Sequence, residues 1–468
     1  VIDVMSEGSK SLAATLYLEG SNVCMLTASR VDVTSADGTT VMTNCSVFDT
    51  GTTLALTAMV YVAPTRKASA NITNITVNVS GSSTLAASSR SIAMSAGVVA
   101  VGDTATIRGS FLRCTTASLV KAEGGSRVSA IAIECVSGNC LIETADILVT
   151  SGSTIFVTLT RHLSDRDAPP WPLAYITAAG VLWEFNHGAS WAATDVAIRV
   201  TDDSRLDLDC GNNKSAYAVC TGGAMHGSTE VTDTYSLQLN RAVVLLSTKS
   251  SILMRMKVIK HATLAIASFV LGSGPRTNSA SLVPGLQLVV TDSNITVFQE
   301  GSATIAVDGI PGNGTIWASV LGVSAHSDEN AAASAGWVAN RQATTAVIRS
   351  SFSCDANCNA NISLMGAGSS RGNVLSLDVS QSSLPSLRVA NSSLSLTGES
   401  KVTVNAVFAV ALSLVSRGAV TATVVSNSRI EVHRSTVDAT SIVSEAVAMA
   451  PNSAALVSFP TAVALSVI

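Results

Sequence analysis

Large rings and charges are scarce in this 468-residue chain. Aromatic residues make up 4% of it, and Asp, Glu, Lys and Arg together 13%. An ordinary soluble domain carries about 25% charged residues. A string of β-sandwich domains, the rival all-β arrangement, usually spends Phe, Trp and Tyr on its cores, and these are rare here. The net charge is −4 and no Lys/Arg cluster occurs, so there is no electrostatic footprint for nucleic acid. Lys257 and Lys260 read as a solvated strand face. No uninterrupted apolar run reaches the ~18–20 residues of a membrane helix. The nearest, 446–468, is broken by Pro451 and Pro460. Membrane attachment is therefore expected only through parts of a longer parent protein. No Walker loop, dinucleotide fingerprint or His-X-X-X-His pair is present, and neither a cofactor nor a metal is expected.

What fills the chain instead is small: 66 Ser, 46 Thr and many Ala, Val and Leu. Hydroxyl residues cover a sheet surface without salt bridges, and thin strand layers need no large core residues. Helical periodicity is rare. Short alternating segments of 4–6 residues dominate, separated by turn residues. One unit returns: Ser-X-aliphatic-polar-aliphatic, at Ser29–Val33, Ser204–Leu208, Ser293–Val297, Ser392–Leu396 and Ser428–Val432, with looser copies at Ser126 and Ser250. Alternation puts Val31 and Val33 on one strand face and Asp32 on the other.

Several spacings between these units fall near multiples of about 22–25 residues, the length of a coil of three short strands. The expected fold is an all-β, right-handed parallel β-helix of the pectin-lyase type, occupying residues 1–468 as one segment of a longer ectodomain. About 19 coils at ~4.8 Å each make a rod near 90 Å. Stacked rows of small aliphatics suffice for such a core, and each strand's backbone is satisfied by the coils above and below. Two stretches break the texture and are expected to be inserted loops: 161–195, with Trp171, Trp183 and Trp191, and 325–345, with Trp337. These four tryptophans are the candidate binding residues.

Nine cysteines are present. Cys135 with Cys140, Cys210 with Cys220, and Cys354 with Cys358 are close enough in sequence to close small loops as disulfides. Cys24 and Cys45 join the oxidised set, and Cys114 is the expected free thiol. Zinc needs four converging ligands, and no His lies near Cys135–Cys140 or Cys354–Cys358. Asn-X-Ser/Thr acceptors stand at Asn44, Asn71, Asn74, Asn78, Asn213, Asn294, Asn313, Asn361 and Asn391. Chance alone predicts about 5–6, so the excess is modest and counts only beside the cysteines. Together they point to an extracellular or cell-surface protein.

Asp202, Asp203, His226, Lys257 and Lys260 follow one another in an order that resembles polygalacturonases, β-helix hydrolases of pectin. That resemblance implies Asp202 or Asp203 as the proton donor to the leaving oxygen, His226 as its tuner and Lys257 or Lys260 as the holder of a substrate carboxylate. The family's Gly-His-Gly is here Met225-His226-Gly227, and its Asn-Thr-Asp element has no clear match. The texture of 373–450, with Asn391-Ser-Ser-Leu-Ser-Leu-Thr-Gly-Glu-Ser-Lys-Val-Thr-Val404 and then Asn427-Ser-Arg-Ile-Glu-Val432, resembles the dispersed-gene-family surface proteins of trypanosomes and related kinetoplastid membrane-associated proteins. It implies a large β-helical, glycosylated, adhesive ectodomain with no catalytic residues to carry over. The leading expectation is a non-enzymatic adhesion or surface-coat solenoid whose partners are host or environmental surface glycans or proteins. A carbohydrate-active β-helix enzyme is the alternative.

Overall fold

The computed structural model describes residues 2–6, 10–13, 16–20, 23–27, 29–34, 42–47, 54–57, 59–64, 69–89, 92–125, 127–160, 175–186, 190–211, 217–229, 235–257, 261–273, 283–310, 314–327, 341–366, 368–380, 386–413, 416–417, 423–442 and 461–466. Among them there is no helix, and every strand pairing is parallel. The fold is a parallel β-helix.

One coil shows the plan. The first face is Thr76–Ser80 and the second is Thr84–Ser89. The third and fourth faces both belong to the long strand Ile92–Arg108. The chain then reaches Phe111–Cys114, directly over Thr76–Ser80. The second face forms a sheet of eleven strands, one per coil. Inward positions alternate with outward ones, as in Thr84–Ser89, and the inward rows of Val, Ile, Leu and Ala form one continuous core along the rod.

The coil is longer than the sequence spacing suggested. The Ser204 amide donates to Ser250 Oγ at 3.2 Å, so these two serines, 46 residues apart, are vertical neighbours. The interval of 46 residues therefore marks one turn and not two, whereas Ser250 and Ser293, 43 apart, stand at different corners, since Ser293 Oγ accepts from the Ala242 amide and the Ser302 amide bonds Ser250 O. Single coils range from 35 residues, as between Arg108 and Glu143, to 57, as between Ser293 and Ser350. Eleven coils at ~4.8 Å make a rod near 50 Å, about half the expected length. The miscount has a physical cause: the third and fourth faces are often one strand, with no turn residue to announce the corner.

Two corners are built to a fixed pattern. Between the first and second faces, two successive residues adopt the left-handed conformation in coil after coil: Thr116 and Ala117, Asp202 and Asp203, Thr248 and Lys249, Gln299 and Glu300, Ala356 and Asn357. Such a conformation costs a non-glycine residue about 1–2 kcal/mol. The stack offsets it by pairing the corner backbone between coils, as in Ala117 to Ser151, Asp203 to Thr248 and Glu300 to Ala356, each 2.8–2.9 Å. A buried serine closes most of these corners. Ser118, Ser153 and Ser400 Oγ donate to the carbonyls of Thr115, Thr150 and Thr397 at 2.6–2.7 Å. Of the serines in the sequence unit, Ser293, Ser392 and Ser428 cap the corner before the first face instead, donating to the carbonyls of Thr291, Ala390 and Ser426 at 2.7–3.0 Å. Gly398 occupies one left-handed position where a Cβ would approach Ala356 N to 2.8 Å.

Between the fourth and first faces a single left-handed residue turns the chain: Asn74, Gly109, Thr144, Asp195, Arg241, Asp292, Arg349, Asn391 and Asn427. Two bidentate ion pairs run along this outer edge, Arg241 to Asp195 at 2.6 and 2.7 Å and Arg349 to Asp292 at 2.7 Å. Variable length accumulates elsewhere, at the connections on either side of the third face. Of the two expected insertions, 175–186 and 190–195 are regular strand, as are 325–327 and 341–345. Residues 161–174, 187–189 and 328–340 lie outside the described set.

Candidate functional site

The third face bends midway, and the bend is made by sequence. In each coil two adjacent residues point inward where alternation allows one: Ala130-Ile131, Ile266-Ala267, Val320-Leu321, Val374-Leu375 and Ala411-Leu412 are all buried in the core. The register stacks these pairs on one another, since Ser129 pairs Ala179 and Ile131 pairs Val181, with the same step repeated in the coils beyond. A stacked double-inward residue acts as a bulge and folds the sheet outward on itself. The result is a crease along the outside of the rod.

The crease floor carries small residues: Ser129 and Ala132, Thr221 and Ala224, Ala265 and Ser268, Ser319 and Gly322. Met94, Val99, Ala132, Ala179 and Ala224 form an apolar cluster there, separate from the main core. At Gly97 a Cβ would lie 2.4 Å from Met94 Sδ, so glycine allows the two walls to close. Arg127 on one wall reaches Glu134 on the other at 2.8 Å, both outward residues of the same strand. That ion pair defines the geometry: the walls face each other across the bend. The hydroxyls of Ser129, Thr221, Ser268 and Ser319 are buried without a hydrogen-bond partner, which makes the crease a polar seam. Farther along one wall, Trp317, Arg371 and Phe408 occupy one outward column in consecutive coils. The Arg371 guanidinium lies 5.1 Å from the Trp317 ring centroid.

The expected site residues fall as follows. Trp191 is 1% exposed and is the largest fully buried side chain, so it is corrected from binding residue to core residue. Its position pairs Cys140 and Leu237, both in the core. Trp183 lies on a strand of the third face, paired with Ile133 and Met225, with its side chain outside the described set. Trp171 and Trp337 lie outside the described residues.

The polygalacturonase-like set does not come together. Asp202 and Asp203 are exposed left-handed corner residues ahead of Arg205–Asp209. The Lys257 amide bonds Gly211 O, beyond the other end of that strand. Five extended residues separate the two places, about 16 Å at ~3.3 Å per residue. His226 lies on the third face, paired with Glu184 and Val270. Lys260 lies outside the described residues. Asp202 Oδ2 is held by Thr150 Oγ1 at 2.6 Å, which gives it a part in the corner.

Three disulfides are present, and each spans a different corner within one coil. Cys354–Cys358 crosses from the first to the second face, Cys210–Cys220 from the second to the third, and Cys135–Cys140 from the third to the fourth. Cys358 stands where other corners hold the capping serine, and its amide donates to Ser400 Oγ at 3.1 Å. Three disulfides fit an oxidising, extracellular location. Cys114 is buried and free, and burial pushes its thiol up to about 12, against a smaller opposing effect of a hydrogen bond with Ser153. Cys24 and Cys45 lie on strands Val23–Thr27 and Met42–Val47, with side chains outside the described set.

Asn71, Asn74, Asn78, Asn294, Asn361 and Asn391 are all half-buried or exposed. Asn44 lies on a second-face strand, in register with Ala86, with its side chain outside the described set. Asn213 and Asn313 lie outside the described residues. The crease and the Trp317 column escaped sequence reasoning. Their one signal was the paired aliphatics that interrupt strict alternation. No family model, curated protein or solved structure matches the chain.

Proposed function

We propose that this chain is a non-enzymatic solenoid of an extracellular or cell-surface protein, acting in adhesion or as part of a surface coat. The observation that carries the reading is the set of three corner-spanning disulfides, each closed within a single coil. Oxidised cysteines persist in secretory compartments and are rare in the cytosol. Acceptor asparagines at outward positions support a glycoprotein. The dispersed corner, strand-end and third-face positions of Asp203, Lys257 and His226 support binding over hydrolysis. The resemblance to kinetoplastid surface proteins agrees with this reading. Partners are host or environmental surface glycans or proteins.

The test is expression through a eukaryotic secretory route, followed by non-reducing peptide mapping and glycopeptide analysis. The expected outcome is secreted protein with links 135–140, 210–220 and 354–358 and with glycan on Asn74, Asn294 or Asn391. Reduced cysteines and bare asparagines in secreted material would defeat the proposal. Release of oligosaccharides from pectin, abolished by Asp203→Asn, would favour the enzyme instead.

A further inference from the structure

Resting on the extracellular reading, the acceptor asparagines divide the rod into faces. Asn78 and Asn294 are on the first face, Asn74 and Asn391 on its corner, Asn44 and Asn361 on the second and Asn71 on the fourth. Among the described residues none is on the third. A glycan is bulky and solvated, so the faces that carry acceptors are the ones it would shield. The outward column of the third face carries Trp317, Arg371 and Phe408 in three consecutive coils. All three are half-buried, with the guanidinium stacked on the indole.

Charge identifies the partner. The third-face strands His261–Ser273, Thr315–Ser327, Ser369–Ser380, Phe408–Ser413, Ser416–Arg417 and Thr461–Ser466 hold two arginines, two histidines and one carboxylate, Asp378. The one charged residue of the column is Arg371, a cation on a chain of net charge −4. Protein docking wants a substantial apolar centre. Here the rings stand among Thr315, Ser319 and Asn373, with Ala265 and Val410 beside them, and the exposed large hydrophobics among the described residues, Met25, Phe156, Met365, Val424 and Val432, all lie on other faces or corners. Isolated rings suit the apolar face of a sugar, and a planar guanidinium suits a carboxylate or sulfate. We propose that the Trp317–Arg371–Phe408 column is a binding strip for an acidic glycan lying along the rod.

Binding is measured on the secreted protein with three probes: a heparin-derived hexasaccharide, a hexamer of galacturonic acid and neutral maltohexaose. One or both acidic probes bind, more weakly as salt rises, and maltohexaose does not; the two acidic arms separate sulfate from carboxylate recognition. Arg371→Gln weakens binding by about tenfold or more, the scale of one charge-assisted contact. Because Trp317 also packs on its coil, Arg371→Lys is the second variant: it keeps the charge, loses the planar stack and falls between wild type and Arg371→Gln. Arg429→Gln, on the first face, leaves binding unchanged. The strip is rejected if maltohexaose binds as well as the acidic probes, if Arg371→Gln binds like wild type, or if Arg429→Gln loses as much. Disulfide and glycan mapping on the same material tells failure of the strip from failure of the extracellular reading.

Discussion

Three aspartates on this rod respond to their surroundings in opposite senses. Asp292 and Asp195 sit on the exposed edge, where hydrogen bonds from Arg349 and Arg241 hold their carboxyls below the usual range. A lowered folded pKa contributes stability above the unfolded value near 3.8, and that contribution is lost as pH falls through the folded value. Asp146 is different. Burial raises its pKa, outweighing the pull of Arg199 and Arg113. Its contribution is complete below 3.8 and fades as pH rises through the higher folded value. Asp292→Asn should therefore narrow the stability advantage of neutral over acid pH, and Asp146→Asn should widen it. Urea midpoints at pH 3 and pH 7 decide this, and a shift of the same sign for both variants contradicts it. The Asp292 effect should shrink in high salt, since its pair is solvent-exposed.

The corner between the first and second faces is the element on which the fold repeats. Its variants are chemically distinct solutions to one backbone problem: a serine hydroxyl onto a carbonyl at Ser118, Ser153 and Ser400, and a disulfide at Cys354–Cys358. Cys114 is the fourth residue of a first-face strand, as Cys354 is of its own, and Ser118 stands where Cys358 stands. The Cα–Cα distance across the existing link is 5.4 Å. Ser118→Cys should therefore oxidise to a fourth disulfide with Cys114. Closing so short a loop is worth about 2 kcal/mol by chain entropy, less the lost serine cap of about 1 kcal/mol. Wild-type Cys114 should resist iodoacetamide at pH 8 until the protein is unfolded, because the thiol is buried and hard to ionise. In Ser118→Cys, oxidised, it should resist even then. A thiol that alkylates in the denatured, unreduced variant shows that the link did not form.

At the scale of the molecule, each coil contacts only its neighbours, so the rod behaves as a one-dimensional stack. Thr76, Phe111 and Asp146 are vertically aligned, which makes residues 111–145 one complete coil. That coil contains Cys114 and both partners of Cys135–Cys140, so its removal strands no cysteine. Deleting 111–145 should leave a soluble, shorter β-helix with Asp146 over Thr76 and a circular-dichroism spectrum of the same shape. Deleting 111–134, 24 residues and out of register, should leave Cys135–Cys140 formed yet give aggregated or unfolded protein. Equal behaviour of the two deletions would contradict the 35-residue coil. Small-angle scattering on the intact chain should give a rod nearer 50 than 90 Å.

The amino-acid sequence by itself determined the class of fold, the inward rows and the three local disulfides. Alternation sets which side chains face a core, and cysteines 4, 5 and 10 residues apart can meet only across a nearby bend. The serine unit was legible as a repeat, although its role as corner cap depends on a backbone carbonyl two residues earlier. Tertiary structure decided the rest. The coil length emerged only when Ser204 met Ser250, because the bent third face carries no turn residues. Trp191 entered the core because its position stacks between Cys140 and Leu237, residues distant in sequence. The crease and the Trp317–Arg371–Phe408 column exist only through stacking, which aligns residues 54 and 37 apart into neighbours. Pairing between coils is non-local, and a linear pattern holds information about faces but not about which coil lies above which.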